Sequence, residues 1–123
     1  MTKGQLEDKI GKTVMRYERE YAGRGPLDAR AYLIDDIVVV RLRDVLTVME
    51  KTLIQGTPAG HAGGWNTYLV KQLRTEWIEK VRDRLVGEIQ DVVGAEILSV
   101  HEDISTRTGE SIFVFVLARE GEE

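Results

Sequence analysis

The chain has 123 residues, 42% of them apolar and 31% charged, with a net charge of −4 and no cysteine. That is the size and balance of one ordinary folded domain with enough chain to bury a core. The acidic balance argues against a general nucleic-acid-binding surface, and the missing cysteines exclude disulfides, thiolate metal sites and a cysteine nucleophile.

Residues 1–5 run directly into a charged amphipathic stretch and lack the apolar core of a signal peptide. The longest apolar run, residues 112–118, is far short of the ~20 residues that span a bilayer. The expectation is a soluble cytoplasmic protein without direct membrane insertion, which reaches a membrane only through a partner.

Over residues 5–21, Leu6, Ile10, Val14, Tyr17 and Tyr21 recur at steps of three and four and predict a helix with one apolar face. Gly23, Gly25 and Pro26 end it. Two β-branched stretches follow, residues 29–34 and 37–42, separated by Asp35-Asp36. A two-residue turn there pairs Leu33 with Val38, Ala31 with Val40 and Ala29 with Leu42, an apolar face that must look toward the core. The same register sets Arg30 opposite Arg41 and Tyr32 opposite Val39 on the outer face. Like charges facing each other across strands are destabilising and need a counter-charge. Two sources fit: Asp28, Asp44 or a helix carboxylate of the chain, or an anion or acidic partner held by both guanidinium groups.

Thr47 or Asp44 can cap a short helix carrying Val48, Met49, Leu53 and Ile54. Residues 55–65 hold four glycines and a proline and predict a flexible loop. That stretch precedes a helix start, where phosphates bind, but no strand leads into it and the Gly-Lys-Ser/Thr ending of a phosphate loop is missing. A long helix is expected over residues 66–93, begun by Asn66 and closed by Gly94. Leu69, Leu73, Trp77, Val81, Leu85 and Ile89 fall on every fourth residue of it, and Trp65, Tyr68 and Trp77 are expected to pack. Such a helix is roughly 40 Å long, whereas four strands make a sheet under about 20 Å wide, so its apolar stripe calls for a second chain. The last elements are strands over 96–104 and 111–118 joined by a polar turn.

The predicted architecture is therefore α+β, in the order α-β-β-α-α-β-β. Two hairpins form a four-stranded antiparallel sheet with the long helix packed on it, in one domain spanning residues 1–123.

Ser99, His101 and Asp103 alternate along one strand and share a face. Neighbours of that kind stand about 6.6–7 Å apart, too far for the contacts of a catalytic triad, and no Gly-x-Ser-x-Gly elbow is present. As metal ligands His101 and Asp103 supply only two of the three or four a zinc ion needs, with His61 in the loop as the nearest third. No cofactor is implied. In the turn, the hydroxyls of Ser105, Thr106 and Thr108 beside Gly109 and Glu110 suit backbone bracing, and equally a recognition tip. Residues 112–117 are apolar on both faces, so a second copy of the chain or a transport subunit is expected to cover the side that the helices do not.

Residues 31–42, the run Val45-Leu46-Thr47 with Glu50-Lys51-Thr52-Leu53, and above all the His-x-Asp-Ile-Ser-Thr-x-Thr-Gly-Glu run at 101–110 resemble the MpsC-like family. That family is named for a bacterial sodium-translocating, membrane-potential-generating system. The resemblance implies a small soluble component of a membrane ion-transport system, without established enzymatic activity; the glycine-rich residues 56–64 depart from the pattern. Together these readings point to a noncatalytic, homodimeric interaction protein. The alternative is a small-anion or nucleotide sensor using Arg30, Arg41 and the 101–110 turn.

Overall fold

A computed structural model describes residues 1–23, 25–55 and 65–119. Its elements are α1 (Lys3–Tyr21), β1 (Asp28–Ile34), β2 (Ile37–Arg43), α2 (Val48–Gln55), α3 (Trp65–Val93), β3 (Ile97–Ile104) and β4 (Ser111–Leu117). This is the expected order, and the four strands form one antiparallel sheet, β1-β2-β4-β3. The two hairpins meet through β2 and β4, leaving β1 and β3 at the edges. Of the predicted 55–65 loop, Gln55 ends α2 and Trp65 begins α3, and residues 56–64, including His61, and the side chain of Trp65 lie outside the described residues.

Local chemistry starts each element. Thr2 and Gln5 form a reciprocal capping box on α1, which therefore begins at Lys3, two residues earlier than expected. Thr47 and Glu50 do the same for α2: the Thr47 hydroxyl accepts from the Glu50 amide at 3.2 Å, and the Glu50 carboxylate accepts from the Thr47 amide at 2.9 Å. Asp44, the other candidate cap, instead pairs with Lys51. The Asp35-Asp36 turn places Asp35 at φ 54°, a left-handed position that aspartate tolerates. α3 closes at Gly94 with φ 70°, as read from the sequence.

α1 and α3 cover one face of the sheet. Ile10, Val14 and Tyr17 of α1 pack with Val38, Val40 and Leu42 of β2, Phe113 and Phe115 of β4, and Leu85 and Ile89 of α3. Gly11 allows the close approach of α1 to β1, since a β-carbon there would sit 3.2 Å from the Ala29 carbonyl oxygen. Glu7 blunts the β1 edge by accepting from the Leu33 amide at 2.8 Å.

The every-fourth stripe of α3 does not face the sheet along its whole length. Leu85 and Ile89 are buried, but Leu69 and Leu73 are 37% and 52% exposed, and Tyr68, expected to pack, is 53% exposed. Four residues turn a helix by about 400°, so a strict four-residue stripe drifts about 40° per step and some 200° between positions 69 and 89. In the N-terminal half the inward positions are taken by Val70, Arg74 and Ile78.

Arg74 is the polar centre of the interior. Its guanidinium is buried with Glu18 of α1 and Glu102 of β3, donating to them at 3.0 and 3.1 Å, and the Ser111 hydroxyl donates to Glu102 at 2.9 Å. Burial works against charge on both partners. At Glu18 it wins, holding the carboxyl above its usual value of 4.5 despite the hydrogen bond from Arg74. At Arg74 burial opposes the charge, but the pairing with Glu18 and Glu102 outweighs it and the guanidinium stays protonated. One residue thus ties α1, α3 and the sheet together.

Substituting Arg74→Met should cost about 3–5 kcal/mol at neutral pH, because two carboxylates are left charged and buried. The raised value of Glu18 makes that acid destabilising when ionised, so this deficit should shrink as the pH falls toward 4.5. Chemical denaturation at several pH values measures it. A second expectation concerns Tyr17, whose phenol is pushed up to about 12, by burial first and then by its hydrogen bond to Glu88. Stability should fall as the pH rises from about 10 to 12, because only the unfolded tyrosine ionises there. Tyr17→Phe should remove that slope at a neutral-pH cost of about 1 kcal/mol, read from the same titrations.

Candidate functional site

Strand alternation divides β4 into two chemistries. Phe113, Phe115 and Leu117 point into the core, while Ile112, Val114 and Val116 point to the outer face, which no helix covers. The register aligns that face in rungs across the sheet. One rung is Ile34, Ile37, Val116 and Ser99; the next is Tyr32, Val39, Val114 and His101; the third is Arg30, Arg41, Ile112 and Asp103. The centre is apolar, the β1 corner is basic, and the β3 edge is polar.

Arg30 faces Arg41 as the pairing rule required. The counter-charge comes from the chain itself. Arg41 pairs with Glu110 beside the terminal turn, and Arg43 holds Asp28 through two hydrogen bonds of 2.8 Å. The Arg43 bond is the main cause that keeps the Asp28 carboxyl below its usual value, with the charges of Arg43, Arg30 and Arg41 adding to it. Of the expected sources, Asp28 lies nearby but pairs with Arg43 rather than with Arg30 or Arg41, Asp44 pairs with Lys51, and Glu110, which does hold Arg41, went unforeseen. Arg30 has no ion pair among the described residues. A cleft of about 360 Å³ between Asp28, Arg30, Tyr32, Arg41 and Arg43 therefore presents one unpaired guanidinium rather than two.

His101 and Asp103 share the outer face of β3 with Ser99, as expected. Their spacing is not as expected: the side chains of Ser99 and His101 lean together, and His101 Nε2 lies 3.2 Å from Ser99 Oγ. Strand spacing fixes the β-carbons, not the tips of long side chains, and β3 carries a register shift between Ile97 and Ser99. Asp103 does not complete a triad, since its carboxylate reaches Lys71 of α3 at 3.3 Å. Among the described residues no three His, Asp or Glu side chains gather to hold a metal ion.

The 105–110 turn is braced from within. Ser105 Oγ accepts from the Thr108 amide at 3.2 Å, and Thr108 Oγ1 accepts from the Glu110 amide at 3.3 Å. Buried Gly109 takes φ 74° and its carbonyl receives the Val45 amide. Ser105, Thr108 and Gly109 thus have structural work. Thr106 and Arg107 border a surface hollow of about 370 Å³ with Asp44, Leu46 and Lys51. The turn joins the arginines only through Glu110, which occupies Arg41.

A second exposed surface was anticipated only in part, as an apolar stripe of the long helix that overruns the sheet. Val48 (75%), Met49 (66%) and Leu53 of α2, with Tyr68, Leu69 and Leu73 of α3, form an apolar surface on the helical side. The Asn66 side chain does not cap α3; it donates to the Leu53 carbonyl at 2.9 Å and ties the two helices. A cavity of about 190 Å³ opens in this surface, walled by Tyr21, Met49, Leu73 and Trp77, with Glu50 and Arg74 at its polar end. Arg74 lies over the Trp77 ring at 5.0 Å, and Arg74 Nε and Trp77 Nε1 are buried without a partner among the described residues. The available signal was a pair of charges inside apolar stripes, Glu18 four residues after Val14 and Arg74 four after Val70.

No described helix is long and apolar enough to cross a membrane. The family model of MpsC, described as the Na+-translocating membrane potential-generating system, matches residues 2–119. A Bacillus subtilis (strain 168) protein described as uncharacterized protein YbcI is 31% identical over 122 residues, which cover 99% of this chain and 93% of that protein. No solved structure matches. With that match over nearly its full length, the chain belongs to the MpsC family.

Proposed function

We propose that the protein is a noncatalytic, dimeric accessory component of a bacterial cation-translocating membrane system, acting at the cytoplasmic face by holding a protein subunit of that system. The family description supplies the system. The observation that carries the binding role is the helical surface, where six large apolar side chains on α2 and the start of α3 stay in solvent. Leaving a Leu or Met side chain in water forgoes about 1.5–3 kcal/mol relative to burying it. Contiguous apolar surface of this kind marks a contact site. The cavity beneath Leu73 and Met49 gives a partner's apolar side chain a place to anchor, which is how a few residues dominate such interfaces. The arginine-rich corner favours this reading over an anion sensor, because Glu110 and Asp28 already fill the forks of Arg41 and Arg43.

The test uses Na+-dependent membrane potential in energised vesicles from a strain lacking the protein. Wild-type protein should restore the potential. Leu73→Glu, at a half-exposed position, should keep the melting temperature within about 2 °C yet weaken the response tenfold or more, the equivalent of about 1.4 kcal/mol of partner binding. An identical potential with and without the protein would overturn the reading.

A further inference from the structure

We infer that the uncovered outer face of the sheet is the homodimer interface, closed by a two-fold axis that runs along the strands. The inference rests on the dimeric part of the reading above and names the surface, the symmetry and the pairs that set it.

Ile37, Val39, Ile112, Val114 and Val116 make a continuous apolar centre across β2 and β4, the middle strands, and no described helix lies over it. Sheets that pack face to face keep their strands within about 30° of one another and interdigitate side chains from the two inner faces. A second copy offers such a layer with the same pleat. Two in-plane axes are compatible with that packing. An axis across the strands would set Arg30 over the partner's Ile34 and leave it without an opposite charge, which is costly, whereas Arg41, held by Glu110, lies over an aliphatic side chain about either axis.

An axis along the strands keeps each rung level and exchanges the two edges. Val39 then lies over the partner's Val114, and Ile37 over the partner's Val116. Tyr32 meets the partner's His101. Arg30, which has no ion pair among the described residues, meets the partner's Asp103, whose side chain is 82% exposed. Each opposite-charge contact occurs twice by symmetry, and no like charges are opposed along this rung. Of the two aligned arrangements, only this one gives Arg30 an opposite charge. The flat footprint, four strands wide and three rungs long, is roughly 400 Å² on each copy, about 800 Å² in total, which is below the size of standard specific interfaces and predicts a weak, concentration-dependent dimer.

The discriminating experiment is a charge exchange followed by sedimentation over a range of concentrations. In one chain Arg30 and Asp103 sit on opposite edge strands, about 14 Å apart at least, so neither supports the other within a monomer. Arg30→Asp and Asp103→Arg should each weaken the dimer about tenfold, by setting like charges against each other at two symmetric places. The double exchange should restore it. Val114→Glu, in the apolar centre, should abolish the dimer, with circular dichroism confirming a folded monomer. A dimer indifferent to all four variants would overturn this interface while leaving the protein dimeric. A wild-type monomer at every concentration up to about a millimolar would overturn both the interface and the dimeric reading.

Discussion

A sheet has two faces, and this chain supplies helices to only one of them. Because side chains alternate along a strand, each strand must carry both an inward and an outward set, and β4 carries large apolar residues in both. The inward set, Phe113, Phe115 and Leu117, meets α1 and α3 and makes the core. The outward set, Ile112, Val114 and Val116, meets only its neighbours on the same face. Everything proposed about association at the sheet follows from that single asymmetry, which no rearrangement of the described helices removes without uncovering the phenylalanines.

Arg74 imposes a second constraint. A buried guanidinium with two carboxylates is costly to dehydrate, and hydrophobic side chains of similar volume would often serve stability as well or better. What the group does is fix the docking of α1 and β3 on α3, since among the described residues Arg74 is the only cation paired with Glu18 and Glu102. The same residue borders the cavity on the helical side, with its Nε and the Trp77 indole unpaired among the described residues. The rigid joint and the exposed surface are therefore built from adjacent atoms, so an apolar partner seated over Leu73 and Met49 would also shield the polar end of that cavity from water.

Much of the fold was legible because the strong local signals agree with the tertiary structure. The hairpin register from Asp35-Asp36, the caps at Thr47 and Gly94, and the burial of Val38, Val40 and Leu42 all follow from period-two alternation and turn chemistry. The site was less legible, for reasons that are geometric. A four-residue apolar spacing looks like one face but winds around α3, so helix length predicted that the stripe overruns the sheet but not that Leu69 and Leu73 are the positions that turn into solvent. Arg74 sat unnoticed next to Leu73 because a charged residue reads as exposed until its partners on other elements are known. Glu110 was seen as part of a turn, and only the β2–β4 pairing brings it to Arg41. The closeness of Ser99 and His101 likewise depends on side-chain torsions that spacing does not fix.

The two exposed surfaces lie on opposite layers of the molecule, and this decides how they would work together. A dimer joined through its sheets has the layer order helix, sheet, sheet, helix. Its apolar α2–α3 surfaces then face outward, away from the contact, so dimer formation leaves both available. Two identical sites related by a two-fold axis suit a membrane assembly that offers two copies of one subunit, where the second contact forms at the high effective concentration set by the first. Weak contacts then suffice at each site. A small sheet interface and a half-exposed helical surface, neither large enough alone to hold a partner tightly, become adequate when each doubles the use of the other.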